Sequence, residues 1–180
     1  MENENKPAET GFTGEIGKEA APVKQEDPMG CGVACVAYAL GRTYEETLPL
    51  LGSEYDYTRK KAIGRGFEVS EITFALNQGH NWKKPWVSFN YILDKEISEK
   101  TYPPGAIVFL RESAGYPYGH YLVRTGSNKW MDPWVNFPEK RTEAGFMDKL
   151  PDAPSFLVCV NSYQILESAP DRSHLQYANL

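Results

Sequence analysis

Long apolar runs are missing from this chain. The longest, Val33 to Leu40, spans eight residues of 180, far short of the roughly 20 that a membrane helix needs. The first residues are polar and acidic, without the basic start and apolar stretch of a secretory signal. Cysteine is scarce. Three residues, two of them only four apart, do not make a disulfide framework. Basic charge is in deficit, with 19 Lys and Arg against 24 Asp and Glu, and no basic stripe runs along the chain to neutralise phosphates. Internal repeats are absent. These absences argue against a membrane protein, a disulfide scaffold and a nucleic-acid binder. They lead us to expect a soluble protein of a reducing compartment, the cytoplasm.

What is present is enough for one packed domain. Hydrophobic residues make up 41% of the chain and aromatics 13%, which excludes a disordered or collagen-like polymer. Acidic charge is concentrated at the start. Met1 to Asp27 holds seven Asp or Glu against three Lys, a net −4 out of a total of −5. Residues 1–24 combine that charge with Gly, Pro, Thr and Asn, a composition that does not repay the entropy of ordering, so a flexible acidic arm is expected there. A single domain is expected over residues 25–166, followed by a polar tail over 167–180.

The first regular element follows Asp27-Pro28-Met29-Gly30-Cys31-Gly32. The run Val33 to Leu40, closed by Gly41, reads as a short buried helix with a glycine stop. Thr43, with Glu46 three residues on, predicts a capping box and a second helix from Tyr44 to about Leu51. Ser70 is expected to cap a third, Glu71 to Asn77. Beyond Lys84 the pattern becomes short, β-branched and aromatic. Strands are expected at Trp86–Phe89, Ala106–Leu110, Tyr121–Arg124, Lys129–Met131 and Phe156–Val160, with Thr125–Asn128 as a tight connection. Helices first and strands afterwards is the order of an α+β fold, N-terminal helices on an antiparallel sheet.

Four residues stand out chemically. Cys31 lies where a turn enters the apolar helix, and first-turn N–H groups favour a thiolate there. Flanking Gly30 and Gly32 would let a substrate carbonyl approach. His120 opens a strand, a good position for a general base. Asp132 ends the next strand, so a hairpin brings its carboxylate within reach of the imidazole. Trp130 and Trp134 would then flank the pair and exclude water. Gln25, six residues before Cys31, carries a carboxamide able to donate to a developing oxyanion beside the Cys31 amide. Each residue also has an ordinary explanation: a small hydrophobe, a structural histidine, a turn-forming Asp-Pro and a glutamine in an acidic arm. Cys35 reads as core, and His80 and His174 as solvated. Cys31 and Cys35 lack a second ligand pair at zinc spacing, so neither a metal nor a cofactor is expected.

The joint pattern is more specific than its parts. Gln-x5-Cys-Gly at a helix start, then Gly-His opening a strand, then Asp-Pro after the paired strand, resembles the papain-like cysteine peptidases. The likeness is strongest to the branch that processes double-glycine bacteriocin leaders, and it covers roughly Lys24 to Ser162. The resemblance implies a papain-like fold in which Cys31 is the nucleophile, His120 the base, Asp132 its orienter and Gln25 the oxyanion donor. It also implies a peptide or protein substrate and hydrolysis of a peptide or isopeptide bond. An acyl transferase or deamidase with the same triad, and a non-catalytic effector or binding module on that scaffold, are the alternatives. The acidic arm and the segment Tyr116-Pro117-Tyr118 depart from the family pattern and would bear on substrate choice.

Overall fold

A computed structural model describes residues 20–52, 58, 65–81, 87–91 and 102–160. Most of the expected arm (residues 1–19), the tail and His174 lie outside the described residues. Val23, within the stretch expected to be arm, packs at the margin of the main core.

The apolar run becomes helix α1, Cys31–Leu40, and Gly41 ends it in the left-handed conformation (φ 64°). Gly41 N–H then closes on carbonyls of the last turn, the usual reason for glycine at that place. Helix α2, Tyr44–Thr47, starts at the Thr43–Glu46 capping box, with Glu46 N–H donating to Thr43 Oγ1 and Thr43 N–H to Glu46. Pro49 tightens its continuation into a 3-10 turn, Leu48–Leu50, so α2 is shorter than expected. Helix α3, Val69–Gly79, begins two residues before the position read from Ser70. Glu68 takes the cap position, its N–H bonded at 2.7 Å to the Glu71 carboxylate.

Six strands follow: β1 Val87–Tyr91, β2 Ile107–Leu110, β3 His120–Arg124, β4 Trp130–Asp132, β5 Gly145–Met147 and β6 Pro154–Val160. They form one antiparallel sheet in the order β1-β6-β2-β3-β4-β5. Among the described residues, three α-helices pack on that sheet. Helix α1 lies on β3, α3 on β1 and β6, and α2 against α1. The class is therefore α+β, as expected. Strand β5 was not anticipated. Its three residues carry no β-branched side chain, and pairing with β4 makes them a strand.

Alternation along the strands serves two cores. Ile107, Tyr121, Val123, Met131 and Val158 face the helices and meet Val33, Val36 and Ile72. Val108, Leu110, Leu122, Trp130 and Leu157 form a smaller core on the opposite face, beside Tyr102. Strand β3, lying between two neighbours and two cores, is buried along its whole length. Two polar ties hold the layers in register. The Asn77 side chain on α3 bonds both N–H and C=O of Val87 at 2.9 Å. Tyr121 OH donates to Phe67 C=O at 3.0 Å, fixing the approach to α3 against β3.

Candidate active site

The turn before α1 is organised by Asp27. Its Oδ1 accepts from Met29 N–H at 2.9 Å, its carbonyl from Gly30 N–H at 3.1 Å, and its Oδ2 from Tyr44 OH at 3.3 Å. Cys31 emerges from this turn as the first residue of α1, half-buried and lining a cleft. Helix geometry leaves first-turn N–H groups without intrahelical acceptors, and the helix dipole adds to their field.

The flanking glycines have a different purpose from the one expected. A Cβ on Gly30 would fall on the Tyr44 hydroxyl, and one on Gly32 would lie 2.7 Å from Ile72 Cδ1 and 3.4 Å from the Tyr121 ring. Both positions are close-packing contacts that seat α1 on α2, α3 and β3. They hold Cys31 in place, and the space beside them is filled by the protein itself.

His120 begins β3 directly after Gly119, whose φ is 72° and whose missing Cβ makes room for the Phe109 ring. The β3–β4 register pairs Val123 with Met131 and Arg124 with Trp130. Continued one step, it sets Asp132 opposite Leu122, so His120 and Asp132 are diagonal neighbours on one face. Long side chains bridge that spacing. Here His120 Nε2 and Asp132 Oδ1 are 2.7 Å apart, both residues buried. A carboxylate only accepts, so Nε2 carries the hydrogen and Nδ1 is left as the basic nitrogen. Cys31 is near enough to the same ring to raise its proton affinity.

Burial is the largest single influence on His120 and pushes its pKa down. The hydrogen bond to Asp132, then the influence of Cys31 and the Asp132 charge, outweigh it and bring the pKa up to about 9. Asp132 Oδ1 also accepts from Trp134 N–H at 2.8 Å, which fixes the carboxylate from the far side.

The expected flanking by two tryptophans is corrected in part. Trp134 meets Asp132 through its backbone. Trp130 is fully buried in the smaller core, with Tyr102 edge-on at 5.6 Å and the Arg124 guanidinium over its ring at 5.1 Å. The ring that lies on His120 belongs to Tyr116, stacked at 4.7 Å with planes 5° apart. Sequence reasoning noted the Tyr116-Pro117-Tyr118 segment without assigning that contact.

Gln25 is buried beside the same turn. Its backbone N–H donates to Pro133 C=O at 3.3 Å, joining the entry to α1 to the residue after Asp132. One Nε2 hydrogen is taken by Asp27 C=O at 2.8 Å, and Oε1 is buried without a hydrogen-bond partner among the described residues. One Nε2 hydrogen therefore stays available as a donor.

Cys35 is fully buried, and burial raises its thiol pKa well above the ordinary value; Cys159 is pushed up to about 11 by the same cause. Both are core residues. His80 closes α3, with burial first and the nearby Arg42 second lowering its pKa. No group of three or more His, Cys, Asp or Glu among the described residues is arranged to hold a metal ion.

The cleft beside Cys31 has a volume of about 400 Å³ and is walled by Phe67, Phe89, Phe109, Tyr118 and Phe156. Arg65 and Glu68 form an ion pair at its mouth. No helix among the described residues is long and apolar enough to cross a membrane. No protein-family model, curated protein or solved structure matches the chain.

Proposed function

We propose that this protein is a cysteine hydrolase of papain-like architecture that cleaves peptide or isopeptide bonds. The observation that carries the reading is the buried 2.7 Å bond between His120 Nε2 and Asp132, on a ring whose proton affinity Cys31, at the start of α1, also raises. A nucleophile on a helix N-terminus, packed against a sheet bearing base and carboxylate, is the arrangement such chemistry needs.

In this mechanism His120 Nδ1 already holds the proton given up by Cys31, and the Cys31 thiolate attacks the acyl carbon. The carbonyl π electrons move to oxygen, where the Cys31 N–H and the Gln25 amide stabilise the charge. Collapse expels the amine, which takes its proton from His120. Water, deprotonated by His120, then attacks the thioester, releasing the acid and restoring the thiolate. Asp132 keeps Nε2–H oriented throughout and supports the imidazolium.

The aromatic cleft supports a substrate presenting a bulky apolar side chain next to the scissile acyl group. All three cysteines are free, which suits a reducing compartment such as the cytoplasm.

Iodoacetamide labelling across pH 4–9, followed by peptide mapping, tests the reading. Cys35 and Cys159 are buried, so rapid labelling reports Cys31. We expect Cys31 to react quickly below pH 7, His120→Ala to slow it, and Cys31→Ala to abolish hydrolysis of a peptide library. Labelling no faster than that of a free thiol with pKa about 8.5 would overturn the reading in favour of a binding module.

A further inference from the structure

Tyr116 is outside the four residues that perform the proposed chemistry, yet its ring stacks face to face on His120. The two rings are parallel within 5° and 4.7 Å apart. Half of Tyr116 is covered, and its position is held from several sides. Ser113 and Tyr116 exchange backbone hydrogen bonds at 3.0 and 3.1 Å, and Tyr116 N–H also reaches Ser113 Oγ at 3.3 Å. Tyr116 C=O accepts from Gly119 N–H at 3.0 Å, one residue before His120. Phe137 supports the ring at 6.2 Å and is itself met edge-on by Trp134 at 4.9 Å. Trp134 donates to the Asp132 carboxylate. The loop before β3 and the loop after β4 thus close on the histidine through one set of aromatic contacts.

We propose that Tyr116 is a positioning residue that holds the His120 ring in plane between Cys31 and Asp132 and favours its protonated form through the π face. A parallel ring blocks rotation of the imidazole about its side-chain bonds. It also offers negative quadrupole density to an imidazolium and none to compensate a neutral ring. Three groups face His120: Asp132 from β4, Cys31 from α1 and the Tyr116 phenol from the loop before β3. Asp152 faces Tyr116 itself. Burial, then Asp132 and Asp152, push the Tyr116 phenol up to about 12, so it stays neutral through the range in which His120 titrates.

The meaning of this role for catalysis rests on the hydrolase reading, but its readout does not. The experiment is NMR titration of the His120 ring in the full chain, beside the pH dependence of Cys31 carboxymethylation. For Tyr116→Ala we expect the His120 midpoint to fall by about 0.5–1.5 pH units, from the range of cation–π energies. Cys31 labelling at pH 6 should slow several-fold. Tyr116→Phe, which keeps the π face, should restore both to wild-type values. Tyr116→Leu keeps the bulk without the π face and should titrate like Tyr116→Ala, which guards against a collapsed loop in the smaller variant. A His120 midpoint unchanged in Tyr116→Ala, wild-type values in Tyr116→Leu, or a Tyr116→Phe variant as impaired as Tyr116→Ala would each overturn the proposal. Absence of hydrolysis with a normal Tyr116 effect on His120 would instead count against the hydrolase reading alone.

Discussion

Replacing Asp132 by Asn removes one charge from a buried pair and preserves most of the geometry. An amide oxygen can accept from His120 Nε2–H and Trp134 N–H at the same places, where the distances are 2.7 and 2.8 Å. In the wild type, His120 holds its proton with a pKa of about 9 against an ordinary 6.5. That difference means the folded state binds the proton more tightly than the unfolded chain by about 3 kcal/mol. Because the folded pKa is the higher one, this stabilisation is complete below about pH 6.5 and disappears as pH rises through about 9. In Asp132→Asn, burial is opposed only by Cys31 and the Tyr116 π face, so the His120 midpoint should drop toward 6.5. The variant should then be about 3 kcal/mol less stable than the wild type at pH 6, and the gap should shrink to about 1 kcal/mol or less by pH 10. Urea unfolding at pH 6, 8 and 10, followed by tryptophan fluorescence, measures the gap. NMR of the ring, assigned with His120→Gln, measures the midpoint. A midpoint that stays above pH 8, or a gap that does not change with pH, would refute the argument that Asp132 sets the charge on His120.

Hydrolysis should decline as pH rises through about 9, because the amine leaving group then loses its proton donor, and a rate still climbing at pH 10 would exclude His120 from that step. Gly32→Ala places a methyl against Ile72 and Tyr121 and should cost about 1–3 kcal/mol; a thermal melt unchanged from wild type would show that this contact is not tight. Thr43→Ala removes one arm of the capping box and should cost about 1 kcal/mol in urea unfolding, whereas no loss would mean that α2 is held by packing alone. Phe89 is 41% exposed at the cleft, so Phe89→Asp should fold normally and raise KM for substrates with a bulky apolar side chain more than it lowers kcat. An unchanged KM would remove β1 from the substrate site.

Much of the local structure was legible before the fold was known. An eight-residue apolar run with three alanines and a glycine after it reads as a buried helix, and the structure has one there. The Thr43–Glu46 pair states its own cap. The hairpin logic that set Asp132 beside His120 needed only two strand assignments and the tight turn between them, and the register agrees with it. Ser70 reads as the cap of α3, yet the helix starts two residues before Glu71 because the Glu71 carboxylate reaches back to Glu68 N–H. By sequence alone, Gly30 and Gly32 read as openings for a substrate. Only the packing of Tyr44, Ile72 and Tyr121 reveals that they are contact points.

The sequence by itself determined the elements and the chemical types available: a cysteine at a helix start, a histidine and an aspartate at adjoining strand ends, and aromatic strands to build a core. Those depend on neighbours within a few residues, where turn chemistry and side-chain period act. The tertiary structure alone decided the order β1-β6-β2-β3-β4-β5, the existence of β5, the burial of Trp130 away from the His120 ring and the seating of Tyr116 on it. These rest on contacts between segments that are distant in the chain, or on the path of a loop, for which local propensity carries no signal. The proton affinity of His120 belongs to the same class. It is set by the balance between burial in the assembled fold and groups delivered to the ring by other segments, Asp132 from β4 and Cys31 from α1 among them.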